Sequence, residues 1–359
     1  MKRLQNKIAE SRYALPLTAL YAVGVWLVGP PFRPPEGGNP GAGLSSSLFP
    51  LPSYLLLLTS YLSPLFLAVS TYLMVELNNA NALTRIYSRM VSCAFLVLTS
   101  LSPLFFRSLQ CELLMLCVIT FYTIILHTYQ DKQSPGLTFY AFLALGTASV
   151  VYVKVLLFVP LLWLLMGTRL FDLSPRTFVA SLLGLAAPWW FIVPWCYFSG
   201  ETPWLADHFT ALVTFETPHN LLPSGAWGAF TPPLGERLRV GELCSGMAGR
   251  GSSLSLPFVL LLSLIGTVHY LRHSSQDKIR TQMIFEMIII LQLATAVFAL
   301  VQPSEAPVLL AILIVNASVL IGHFIALTST RLTNILFCLL VAASLLITAS
   351  NLWMLSLPS

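Results

Sequence analysis

The residues able to do chemistry in this chain fall into three sets, and the first centres on one lysine. The stretch TASVVYVKVLLFVPLLW, residues 147–163, lies in an apolar run that begins at Leu137, and Lys154 is its only charge before Arg169. An ammonium placed there either snorkels to the membrane interface or meets a phosphate or carboxylate in an outward-facing cavity. A carboxylate to work beside it is Glu36, the only acid in GPPFRPPEGGNPGAGLSSSLFP. It reads as a catalytic base or as a solvated glutamate among turn-forming glycines and prolines.

The second set lies in GETPWLADHFTALVTFETPHNLLP and the segment after it. Thr202 before Pro203 is a helix start, and the apolar residues that follow recur at helical spacing. A short helix over residues 203–216, lying on the outer surface, is predicted. Its His208, with His219 beyond it and the acids Glu201, Asp207 and Glu216, either lines a substrate site or forms the wet side of that helix. Arg237 and Arg239 in GERLRVGELCSGMAGRGSS suit an anionic head group. SGMAGRGSS is no phosphate-binding loop, because it lacks the Lys-Ser/Thr ending and follows no strand.

The third set is deep. His269, Glu286 and His323 each fall a few residues from the inner end of an apolar run. Intramembrane ionisable groups of this kind carry protons or form a hydrogen-bonded layer. Two histidines and one glutamate on three helices make no metal motif, and no cofactor is implied.

The elements that must position these residues are set by composition. The chain has 359 residues, 56% apolar and 9% charged, against roughly 25% charged in a soluble domain. That predicts an all-α, polytopic membrane protein. No basic patch lies outside membrane flanks, which excludes a nucleic-acid partner. The apolar runs give about eleven spans: 13–29, 51–75, 90–106, 112–128, 137–152, 155–171, 177–198, 256–272, 283–301, 307–328 and 333–355. The basic start MKRLQNKIAESR precedes a run with no small-x-small cleavage site, so a retained first helix is expected. No C-x-x-C pair occurs among the six cysteines. Cys111 and Cys244 fall on one membrane face, where a disulfide is open but not shown by spacing.

Lys154 also decides topology. One helix from 137 to 171 is about 50 Å long at 1.5 Å per residue, against a hydrocarbon core of ~30 Å. A hairpin turning at Lys154, with arms of about 24 Å each, places thirteen of the 19 lysines and arginines inside. A single span inverts everything after it, leaves ten inside, and strands Lys154 in mid-membrane. The positive-inside rule and the cost of a central lysine both favour the hairpin, with the N-terminus cytoplasmic.

Residues 136–198 bring a resemblance into view. GLTFYAFLALGTASVVYVKVLLFVPLLWLLMGTRLFDLSPRTFVASLLGLAAPWWFIVPWCYF resembles the middle of GT-C membrane glycosyltransferases, with YVK at the outer turn. The resemblance implies transfer of a sugar from a polyprenyl-phosphate carrier, with Lys154 on the phosphate and Glu36 as base. The chain departs from that pattern in its short first outer loop and in having no Asp-x-Asp. Through NNANALTRIYSRMVSCAFLVLTSLSPLFF and PSEAPVLLAILIVNASVLIGHFIAL it is also similar to an uncharacterised Bacteroidota family of polytopic membrane proteins, domain of unknown function 6427.

Three parts are therefore expected: a GT-C-like transmembrane half of seven spans (1–198), an extracytoplasmic loop with an interfacial helix (199–255), and a C-terminal half of four spans (256–359). The missing acidic motif favours a non-catalytic component of a bacterial inner-membrane assembly or export complex. Its partners would be the lipid bilayer, other envelope membrane proteins and a polyprenyl-phosphate carrier. A GT-C-type glycosyltransferase is the alternative, and a transporter the second, although no inverted repeat is evident.

Overall fold

Within a bilayer, backbone polar groups must bond within their own segment, so apolar runs become helices. The computed structural model describes residues 11–28, 53–84, 88–102, 109–215, 254–274, 277–302, 305–327 and 331–356, and among them there is no strand. The helices are α1 (Ala14–Val28), α2 (Ser53–Asn81), α3 (Met90–Ser100), α4 (Leu109–Ile125), α5 (Pro135–Val151), α6 (Val159–Leu165), α7 (Pro175–Ser199), α8 (Thr202–Val213), α9 (Ser255–His273), α10 (Ile279–Val301), α11 (Ala306–Leu327) and α12 (Arg331–Ser356). Seven helical segments, counted among the described residues, are long and apolar enough to cross a membrane. The chain is a multi-pass, all-α membrane protein.

α11 is the axis of the bundle. Every residue from Val308 to Phe324 is buried, and α3, α4, α9 and α10 pack around it. Small residues allow the approach, as membrane helix interfaces require. A Cβ at Gly322 would stand 2.6 Å from Val91 Cα, and one at Gly266 would stand 2.9 Å from Leu320 Cβ. In α5 and α7 two glycines face each other's backbone: a Cβ at Gly184 would meet Phe139 O at 2.5 Å, and one at Gly146 would meet Leu185 O at 2.8 Å. Buried polar bonds tie the axis further. Tyr122 donates to Asn316 Oδ1 at 2.7 Å. Asn351 Nδ2 donates to Leu101 O at 2.6 Å.

The apolar run around Lys154 folds back on itself. Tyr152 leaves α5 in an extended conformation (φ −146, ψ 99). A 3-10 turn, Val153–Phe158, then leads into α6, which ends in a π turn, Met166–Leu170. The two ends of this hairpin are clasped together. Gln130 N donates to Leu170 O at 2.8 Å, and Ser174 Oγ donates to Lys132 O at 3.3 Å. Pro175 then opens α7 behind a capping box, in which Ser174 Oγ accepts from Thr177 N and Thr177 Oγ1 accepts from Ser174 N. That pairing satisfies two donors that a helix start leaves open.

Asp172 locks the clasp and makes it sensitive to pH. Its side chain is fully buried and accepts from Thr128 Oγ1 at 2.5 Å. Burial pushes the carboxyl up to about 6, with the Thr128 hydroxyl pulling the other way. An unfolded aspartate titrates near ~4, so the folded chain holds the proton more tightly. Stability from this group is full below about 4 and lost as pH rises to about 6, a total of roughly 3 kcal/mol. Asp172→Asn is therefore expected to raise the thermal midpoint at pH 7.5 in detergent and to flatten its decline between pH 4 and 6. A variant less stable than the parent at both ends of that range would contradict this.

Candidate functional site

The turn at Tyr152 drives Lys154 into the protein, where it is 5% exposed. Its partner comes from 151 residues away. Glu305 sits on the turn between α10 and α11, where its N–H donates to Gln302 O at 3.1 Å, and Lys154 Nζ reaches Glu305 Oε1 at 2.7 Å. Glu305 keeps 26% of its side chain open. The Phe215 ring lies 5.9 Å from Nζ. At the start of α4, Gln110 Nε2 donates to Val151 O at 3.0 Å and fixes the end of α5.

α8 closes one side of this site. Pro203 stands in its first turn, and its C-terminal end is followed by extended backbone at Thr214. None of its residues is buried, so the helix lies on the bundle rather than in it. His208 Nε2 donates to Ser149 O at 3.0 Å, the donor role following from the carbonyl partner. Burial lowers the His208 pKa, partly offset by that bond, so the ring is neutral at pH 7. Trp204 stacks on His208 at 4.9 Å. Trp189 of α7 packs on Phe209 at 4.7 Å and donates to Ser149 Oγ at 3.0 Å. Between these groups is a recess of about 180 Å³ lined by Gln110, Tyr152, Lys154, Trp204, His208 and Glu305 among others. Its formal charge is one ammonium and one carboxylate, already paired.

Of the residues singled out in the sequence, Lys154 and His208 meet at this recess. Glu36, His219, Arg237 and Arg239 lie outside the described residues, as do Glu216 and Cys244. Cys111 is buried on α4. The surface helix expected over 203–216 is α8, and its Trp204 and Phe209 turn toward the bundle through His208 and Trp189.

The deep set needs a correction. His269 and His323 do come together, with ring centroids 6.2 Å apart. Glu286 instead forms an ion pair with Arg169, which the π turn presents. The acid beside the histidines is Asp277, whose Oδ2 lies 3.4 Å from His323 Nε2. His273 stacks on His269 at 4.5 Å, while Phe285 and Tyr270 face the His323 ring. No group of three or more metal-ligating side chains, among the described residues, is arranged to hold an ion.

Glu305, Tyr152 and Gln110 were missed by reasoning from sequence. A signal existed for the first: Glu305 is the only acid after Glu286, and the hairpin topology puts it on the same side as Lys154. Comparisons with protein-family models, with characterised proteins and with solved structures find no match.

Proposed function

We propose that this chain is a non-catalytic membrane component of a bacterial envelope assembly or export complex, held in the inner membrane with its N-terminus cytoplasmic. The observation that carries this reading is the Lys154–Glu305 pair. A transferase acting on a phosphate-linked sugar needs net positive charge at the phosphate, and here a carboxylate at 2.7 Å cancels the charge of the lysine at the turn. A GT-C-like path through the first seven spans fits this role as a scaffold, since fold does not dictate activity.

The test is extraction of the full chain from its native membrane in two mild detergents. The reading predicts co-elution with at least one further envelope membrane protein at the same stoichiometry in both. A chain that elutes alone and transfers sugar from a polyprenyl-phosphate donor overturns it.

A further inference from the structure

We infer that the recess beside Lys154 and Glu305 binds a phosphoethanolamine zwitterion, the head group of a membrane phospholipid. This goes beyond the assembly role and does not depend on it. A site that already holds equal and opposite charges attracts neither a net anion nor a net cation, but it does fit a ligand carrying both charges a few atoms apart. Lys154 is 6% exposed and Glu305 26% exposed at the side chain, so both charges stand in a weakly screened place, where charge complementarity gains most.

Two further polar groups line the recess, and one of them has no hydrogen-bond partner among the described residues. Tyr152 is 6% exposed. Its hydroxyl is turned toward the Glu305 carboxylate, the hydrogen-bond partner within its reach. Gln110 spends its Nε2 on Val151 O, and its buried Oε1 is without a hydrogen-bond partner among the described residues. A buried polar atom left unbonded costs about 1–3 kcal/mol, so a ligand that supplies the missing bond is favoured.

The chemistry of these groups sorts the ligand. The Lys154 ammonium and the Tyr152 hydroxyl are donors suited to a phosphate. The Glu305 carboxylate and Gln110 Oε1 are acceptors suited to an ammonium with N–H bonds, and Trp204 adds an aromatic wall that cations favour. A choline group has no N–H to offer Gln110, and a glycerol head group has no positive charge to offer Glu305. Glu305 places the recess between the end of α10 and the start of α11, and the ends of membrane-crossing helices stand at the level of the lipid head groups.

The experiment uses the full-length protein in detergent, offered equal amounts of phosphatidylethanolamine, phosphatidylcholine and phosphatidylglycerol of matched chains, with retained lipid counted by native mass spectrometry. Phosphatidylethanolamine is expected to be retained at least tenfold over the others. Tyr152→Phe, which keeps the ion pair, should lower that preference several-fold, and Lys154→Met with Glu305→Leu should abolish it, both at unchanged elution volume. Free O-phosphoethanolamine added to delipidated protein separates the sources. Lipid preference without saturable uptake of the free compound assigns the site to the bilayer. Saturable uptake without lipid preference assigns it to the soluble zwitterion. Equal retention of the three lipids with no uptake of the free compound overturns the proposal, as does full preference in Tyr152→Phe.

Discussion

Leucine at Gly322 is expected to leave no folded protein, and alanine there to lower the thermal midpoint by several degrees. The site lies on α11, the helix that four others enclose. A Cβ would stand 2.6 Å from Val91 Cα and 2.8 Å from Val91 N. These are backbone atoms of α3, so no flexible side chain can move aside. The two helices must separate, and every contact along α11 loosens with them. Overpacking a tight core costs about 1–3 kcal/mol, the range for alanine; leucine adds three more carbons to the same gap. Gly24→Ala is the control, because nothing lies within 4 Å of the Cβ it would add. Thermal unfolding followed by size-exclusion in detergent reads both. A Gly322→Ala protein as stable as the parent would contradict the close approach of α3 and α11.

Glu305→Gln is expected to destabilise more than Lys154→Met, and the double variant to recover most of the loss. Removing one partner of a buried pair costs about 3–5 kcal/mol, because it leaves a buried charge uncompensated. The two partners are not equally buried. Lys154, 6% exposed, would be left without water or counter-charge, whereas Glu305, 26% exposed, can turn to solvent. Replacing both by neutral groups of similar size removes the desolvation cost with the attraction, which is often near neutral. Thermal midpoints of the four proteins close a double-mutant cycle. Strict additivity would mean that the pair carries no coupling.

Much of this arrangement was legible in the sequence where a cost was local. A lysine in an apolar run predicts a turn because the alternative strands a charge in lipid, and the backbone does break at Tyr152. Thr202-Pro203 predicts the start of α8, and α8 begins there. Asn316, polar in the middle of an apolar run, meets Tyr122 on another helix. What sequence could not supply was partnership across the bundle. Nothing local to Glu286 says that Arg169 will reach it, since the reach depends on the π turn at Met166–Leu170 and on how α10 packs against it. Asp277 stands between two apolar runs, yet its side chain is 2% exposed beside His323. Arg280 stands just before an apolar run, and it is drawn in by Asn81 Oδ1 and Leu126 O, each at 3.1 Å. Periodicity and charge bias set depth and direction along a helix. They do not set which helices become neighbours.

We propose that the chain turns at Lys154 at the outer face, so that residues on both sides of the hairpin return to the cytoplasm. Accessibility of single cysteines tests it most directly. In a protein whose six native cysteines are replaced, Gln133→Cys and Leu173→Cys flank the hairpin, and Glu201→Cys marks the far end of α7; all three positions are exposed. With a membrane-impermeant maleimide on intact spheroplasts, residue 201 is predicted to label, and 133 and 173 only after permeabilisation. Labelling of 133 and 173 from opposite sides, or of both from outside, would contradict the claim.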